Sequence, residues 1–147
     1  MKPSMKSISF FLLTLFCSAF LLNFLWESIH GAFLYQGIGD LPSKAYLPLM
    51  LYATVVDAVL ITVMWILTSL ILRNTSWIDV KKPLPWAIFS IFGLVFALFI
   101  EIRALFFQHR WAYSALMPTI TGIGVNPLIQ LVITGIIAVK ISSRLSS

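Results

Sequence analysis

The amino-acid sequence predicts an all-α integral membrane protein, a bundle of four transmembrane helices with both termini cytoplasmic. Three observations carry that expectation. Of the 147 residues, 60% are hydrophobic and 10% charged, and the mean hydropathy is +0.99, whereas about 25% of the residues in an ordinary soluble domain are charged. The apolar residues gather in four long runs, about 8–30, 46–72, 86–107 and 116–139, and a spanning helix needs roughly 20 such residues. The basic residues, finally, favour alternate ends of those runs, as the positive-inside rule describes. Little is left over for a soluble region, so residues 1–147 read as a single domain.

The first run follows a short basic leader, MKPSMKS. No small-x-small cleavage site follows it cleanly, and Thr14, Leu15 and Phe16 are too bulky before Cys17 for a lipoprotein signal, so the run reads as a retained helix. Gly37, Gly39, Asp40 and Pro42 mark the loop before the second run. That run ends at RNTSWIDVKKPLP, the most polar connection in the chain. The third run gives way to the aromatic and basic turn QHRWAYSA. Met117-Pro118 then reads as the start of the fourth helix, because proline suits a first helical turn. Gly122, Gly124 and Pro127 read as close packing and a kink. With Cys17 as the sole cysteine, no intramolecular disulfide can form.

Orientation follows from ten basic residues. Lys2, Lys6, Arg73, Lys81, Lys82, Lys140 and Arg144 fall on one side, and Lys44, Arg103 and Arg110 on the other. The first side is therefore expected to be cytoplasmic. Trp77 and Trp86 would mark the inner interface, and Tyr35, Trp111 and Tyr113 the outer one. The net charge of +5 fits this bias and anionic lipid headgroups, and implies no nucleic-acid partner. A short chain of this kind without an organelle signal suits a bacterial inner membrane.

Depth within the helices brings out the candidate site. Asn23, Trp26, Glu27 and His30 fall in the outer part of the first span, Asp57 near the middle of the second, and Glu101 and Arg103 in the outer third of the third span. Trp111 and Tyr113 follow in the turn, and Asn126 and Gln130 descend in the fourth span. Residues three or four apart share a helix face. Ala19, Asn23, Glu27 and His30 form one such stripe, and Ser90, Gly93, Ala97, Glu101, Ala104 and Gln108 another. Thr119, Gly122, Asn126, Gln130 and Thr134 form a third, while Ala53 and Asp57 lie roughly together on the second span. An ionised acid at the centre of a spanning helix costs about 2.5–3.5 kcal/mol, so these faces are expected to point inward, with at least one carboxyl protonated or reached by water. Arg103 lies about 200° around the helix from Glu101, so it is expected to pair with headgroups or with another helix.

Motifs narrow the function mainly by exclusion. Glu27-x-x-His30 matches the unit used in di-iron bundles, but a second copy and two further glutamates are missing, so no metal is expected. No cofactor is implied either, because the chain has no P-loop, dinucleotide fingerprint or nucleophile elbow. The leading expectation is an outward-facing polar pocket. In it Glu27, Asp57 and Glu101, the candidate catalytic groups, bind or transform a lipid-like or small hydrophobic molecule, with Asn23, Trp26, His30, Arg103, Trp111, Tyr113, Asn126 and Gln130 around them. Two alternatives stand beside it. One is an accessory subunit whose polar faces bind another membrane protein; the other is a proton-coupled transporter acting as a homodimer.

Overall fold

A computed structural model describes residues 5–80 and 82–146; Lys2 and Lys81, two of the basic residues counted above, lie outside them. Four helices account for most of the described chain: α1 Met5–Phe33, α2 Ser43–Leu72, α3 Pro83–Ile102 and α4 Val125–Leu145. A π-helical turn, Arg103–Phe107, continues α3. All four are long and apolar enough to cross a membrane. The helices form a ring, with α1 between α2 and α4, and α3 between α4 and α2.

The helix limits follow local chemistry. Pro83 and Pro85 lie inside the start of α3, because first-turn amides have no helical acceptor and proline loses nothing there. That span accordingly begins earlier than residue 86. At the other end of α2, Arg73 takes a left-handed conformation (φ 50°), and its N–H and that of Asn74 bond back to Leu70 and Ser69.

The expected start of the fourth helix is corrected. Residues 119–124 form a small hairpin, β1 Thr119–Ile120 against β2 Ile123–Gly124, and the helix begins only at Val125. The loop residues Thr121 and Gly122 both have positive φ, 52° and 83°, as a tight two-residue hairpin turn requires. Thr119, Ile120, Thr121 and Ile123 are β-branched and favour extended backbone. Pro118 therefore precedes the hairpin, and its carbonyl accepts a bond from Val125 N–H at 2.8 Å. Pro127, expected to kink a helix, falls in the first turn of α4 and has nothing to kink. Gly124 does mark close packing: a Cβ there would lie 3.0 Å from the Tyr113 ring, whereas Gly122 has open space around it.

The two ends of the bundle differ. Near the chain termini, Phe11 and Leu15 of α1 pack with Ile61, Met64 and Trp65 of α2, Phe89 of α3 and Val139 of α4. Trp77, expected at the membrane interface, is instead fully buried under this end. It donates from Nε1 to Ser69 Oγ at 3.0 Å and packs against Trp86 and Phe89. At the opposite end the two loops are stitched together. Tyr35 pairs with Tyr113, Gln36 N–H donates to Ala112 O and Ser114 N–H to Leu34 O, each at 2.9 Å.

Candidate functional site

Asn23, Glu27, Asp57, Glu101 and Gln130 gather in the half of the bundle beneath the stitched loops. On α1, Asn23 is fully buried, and its amide nitrogen donates to the Ala19 carbonyl at 2.8 Å, four residues back. That bond aims Oδ1 across to α4. There it lies 3.1 Å from Gln130 Nε2 and 3.1 Å from the Thr134 hydroxyl, whose single hydrogen it shares with the Gln130 carbonyl at 2.8 Å. Gln130 is the hub. Its Nε2 also donates to Glu27 Oε1 at 2.6 Å and to Asp57 Oδ2 at 2.7 Å. An amide nitrogen carries two hydrogens, so the two short bonds to the carboxyls use both, and the longer approach to Asn23 is a shared one. Three helices thereby meet at one side chain.

The remaining helix, α3, contributes Glu101, which is 3% exposed. Its Oε2 accepts a hydrogen bond from the Tyr113 hydroxyl, which the loop pairing holds above it. Burial pushes the Tyr113 phenol above its ordinary value, and the bond to Glu101 pushes the same way. Tyr35 is raised too, by burial first and then by Glu101 and Glu27. Both phenols therefore keep their protons and remain donors.

Between these two clusters lies a cavity of about 760 Å³. Glu27, Asp57, Glu101 and Gln130, one side chain from each helix, line it together with Tyr35 and Trp111 from the loops. Arg103 and Arg110 line it as well, and both are exposed. With its amide turned to accept, Gln108 takes hydrogen bonds from the Arg103 guanidinium at 3.1 Å. Gln108, which caps the turn that Arg103 begins, is thus one partner of this guanidinium. Leu49, Met50, Val56 and Ile100 supply apolar wall. A second hollow, about 540 Å³, lies on the loop surface beside Phe106, His109, Trp111, Tyr113 and Gly122, and reaches none of the helix carboxyls.

Six of the sequence-derived candidates line the larger cavity: Glu27, Asp57, Glu101, Arg103, Trp111 and Gln130. Asn23 and Tyr113 stand directly behind it, each bonded to a wall residue. Trp26, His30 and Asn126 are not in the wall. His30 is buried against the rings of Trp26 and Tyr35, with both nitrogens lacking a hydrogen-bond partner. Glu27 and His30 therefore serve different surroundings, and among the described residues no group of three or more His, Cys, Asp or Glu is placed to hold a metal ion. Tyr35 and Arg110 were missed as site residues. Both sit in loops, where helical periodicity has nothing to say; the only signal was their aromatic and basic character beside the span ends.

Fold and composition together define a small multi-pass membrane protein built from four apolar helices. No family model, curated protein or solved structure matches the chain, so function must be argued from the site.

Proposed function

We propose that the cavity binds a lipid-like or small hydrophobic molecule, and that it faces outward in a membrane whose cytoplasmic side holds both chain termini. One observation carries the reading: each of the four helices sends a polar side chain into the same cavity of about 760 Å³. Ligand pockets are typically about 300–1,000 Å³, mostly apolar, with a few convergent polar groups. In this reading Glu27 and Asp57 accept hydrogen bonds or a proton from the ligand, and Gln130 holds both carboxyls in place. Glu101 and Tyr113 form a second polar point, and Leu49, Met50 and Ile100 take the apolar part. The orientation is supported by the seven-to-three division of basic residues.

The test is mass spectrometry of small molecules and lipids that co-purify with the wild-type protein, set beside a Glu27→Gln, Glu101→Gln double variant of matched helicity and monodispersity. The expected result is a specific molecule retained by the first and lost from the second. Identical profiles from two folded proteins would overturn the reading.

A further inference from the structure

The shape and charge of the cavity narrow its occupant. At the level of Gly93, α3 lies hard against its neighbours: a Cβ there would come within 2.9 Å of Met64 Cε on α2 and of Val132 Cγ2 on α4. Toward the loops, Leu49, Tyr52, Ala53 and Val56 of α2 and Ala97, Phe99 and Ile100 of α3 line the cavity, so part of it lies between these two helices. Its wall includes Leu49 and Tyr52 of α2 and Phe99 of α3, side chains 39%, 60% and 65% exposed on the outer surface of the bundle. At the loop end Tyr35, which pairs with Tyr113, and residues 36–38 line the cavity. The exposed apolar side chains of Leu49, Tyr52 and Phe99 give the cavity an approach from the side, through the seam between α2 and α3.

Charge along this space is graded. Glu27 and Asp57 lie at the inner end on Gln130, and the exposed guanidiniums of Arg103 and Arg110 lie at the rim. A simple anion drawn in by the arginines would meet three carboxyls. A simple amine would satisfy the acids and leave both guanidiniums unused. A head carrying both charges satisfies both ends.

Resting on the reading of the cavity as a binding site, we infer that its ligand is a zwitterionic amphiphile that moves in sideways between α2 and α3. A hydrogen-bond-donating ammonium reaches Glu27 and Asp57, an anionic group such as phosphate stays with Arg103 and Arg110, and the apolar tail leaves through the seam past Tyr52 and Phe99. An ammonium with N–H groups suits the site better than a quaternary one, because the carboxyl oxygens are acceptors and charge-assisted hydrogen bonds are strong and short.

The probes are three phospholipids of identical chains, bearing ethanolamine, choline or glycerol heads, offered to the delipidated full-length protein and quantified by native mass spectrometry. The ethanolamine lipid is expected to be retained about tenfold over the other two, the factor that one charge-assisted hydrogen bond supplies. Glu27→Gln with Asp57→Asn is expected to erase that preference, and Arg103→Gln with Arg110→Gln to weaken all three lipids alike. Val56→Phe, on the seam, is expected to lower retention of every lipid, whereas Val55→Phe, outside the cavity wall, leaves it unchanged. Equal or better retention of the glycerol lipid, or a preference that survives the acid substitutions, would overturn the inference. If the wild type instead keeps a molecule without paired charges, and loses it in the acid variant, the zwitterion is wrong and the binding site stands. If no amphiphile of any kind is retained, the binding site itself fails.

Discussion

The two halves of this bundle use the same apolar helices for opposite ends. In the half near the termini, glycines draw the backbones together: a Cβ on Gly135 would sit 3.0 Å from the Phe89 ring, and Trp77 closes the base without reaching solvent. In the loop half, alanines at 53, 97 and 104 line open volume, and the side chains that cross it are amides, acids and a phenol. Small residues therefore do two things here. Where a large side chain faces them they give close packing, and where none does they leave a cavity. The half near the termini is the packed one, and the loop half holds the candidate chemistry.

The sharpest way to break that division is at its packed end. Trp77→Ala removes a fully buried indole and its bond to Ser69, and should cost about 3–5 kcal/mol, the range for large aromatic truncations. Thermal unfolding in detergent would read this as a large fall in midpoint; a small fall would mean that the base is not where stability resides. Gly135→Leu should cost about 1–3 kcal/mol by overpacking against Phe89 and Ile61. The corresponding change at Ala53, on the cavity wall, should be tolerated.

Effects in the loop half should be smaller in stability and larger in binding. Gln130→Ala leaves Glu27 and Asp57 without their common donor. Because hydrogen bonds between membrane helices are worth about 0.6–2 kcal/mol, it should lower stability only by that order. Retention of the co-purifying molecule should nonetheless be lost, and a full ligand complement on this variant would show that Gln130 does not organise the site.

Tyr113→Phe should cost about 1 kcal/mol through its bond to Glu101, and it carries a pH signature. Because the folded phenol titrates above its ordinary value of 10.0, the native state holds this proton more tightly than the unfolded one. Its contribution is complete below pH 10 and is lost as pH rises past that point toward the raised value. Unfolding midpoints of the wild type should therefore fall more steeply above pH 10 than those of Tyr113→Phe. Parallel curves would contradict the buried, bonded phenol. The smallest effect is expected at Asn126, half-buried and off the cavity wall, where Ala should change stability by less than about 0.5 kcal/mol and leave retention intact.

Much of this arrangement was legible in the residues. A four-residue spacing put Asn23 and Glu27 on the same face as Ala19, and another put Gln130 above Thr134; both pairs are joined across α1 and α4. Asp57 was legible by its cost alone, since an acid at mid-helix needs a partner. The hairpin at 119–124 was not, because Met117-Pro118 carries a helix-start signal that the β-branched run and its left-handed turn override. Nor was the position of Tyr35, which depends on a pairing between two loops far apart in sequence. Trp77 misled for a related reason: an indole near a span end reads as an interface anchor, and only the packing of α2 against α3 shows that it turns inward.

The central claim is that the cavity between α2 and α3 is a binding site, and an experimental structure of the wild-type protein in a lipid nanodisc tests it most directly. Elongated non-protein density is expected to run from Glu27 and Asp57 past Arg103 and out between Tyr52 and Phe99. Ordered water alone in that space, or α2 and α3 closed upon each other, would contradict it.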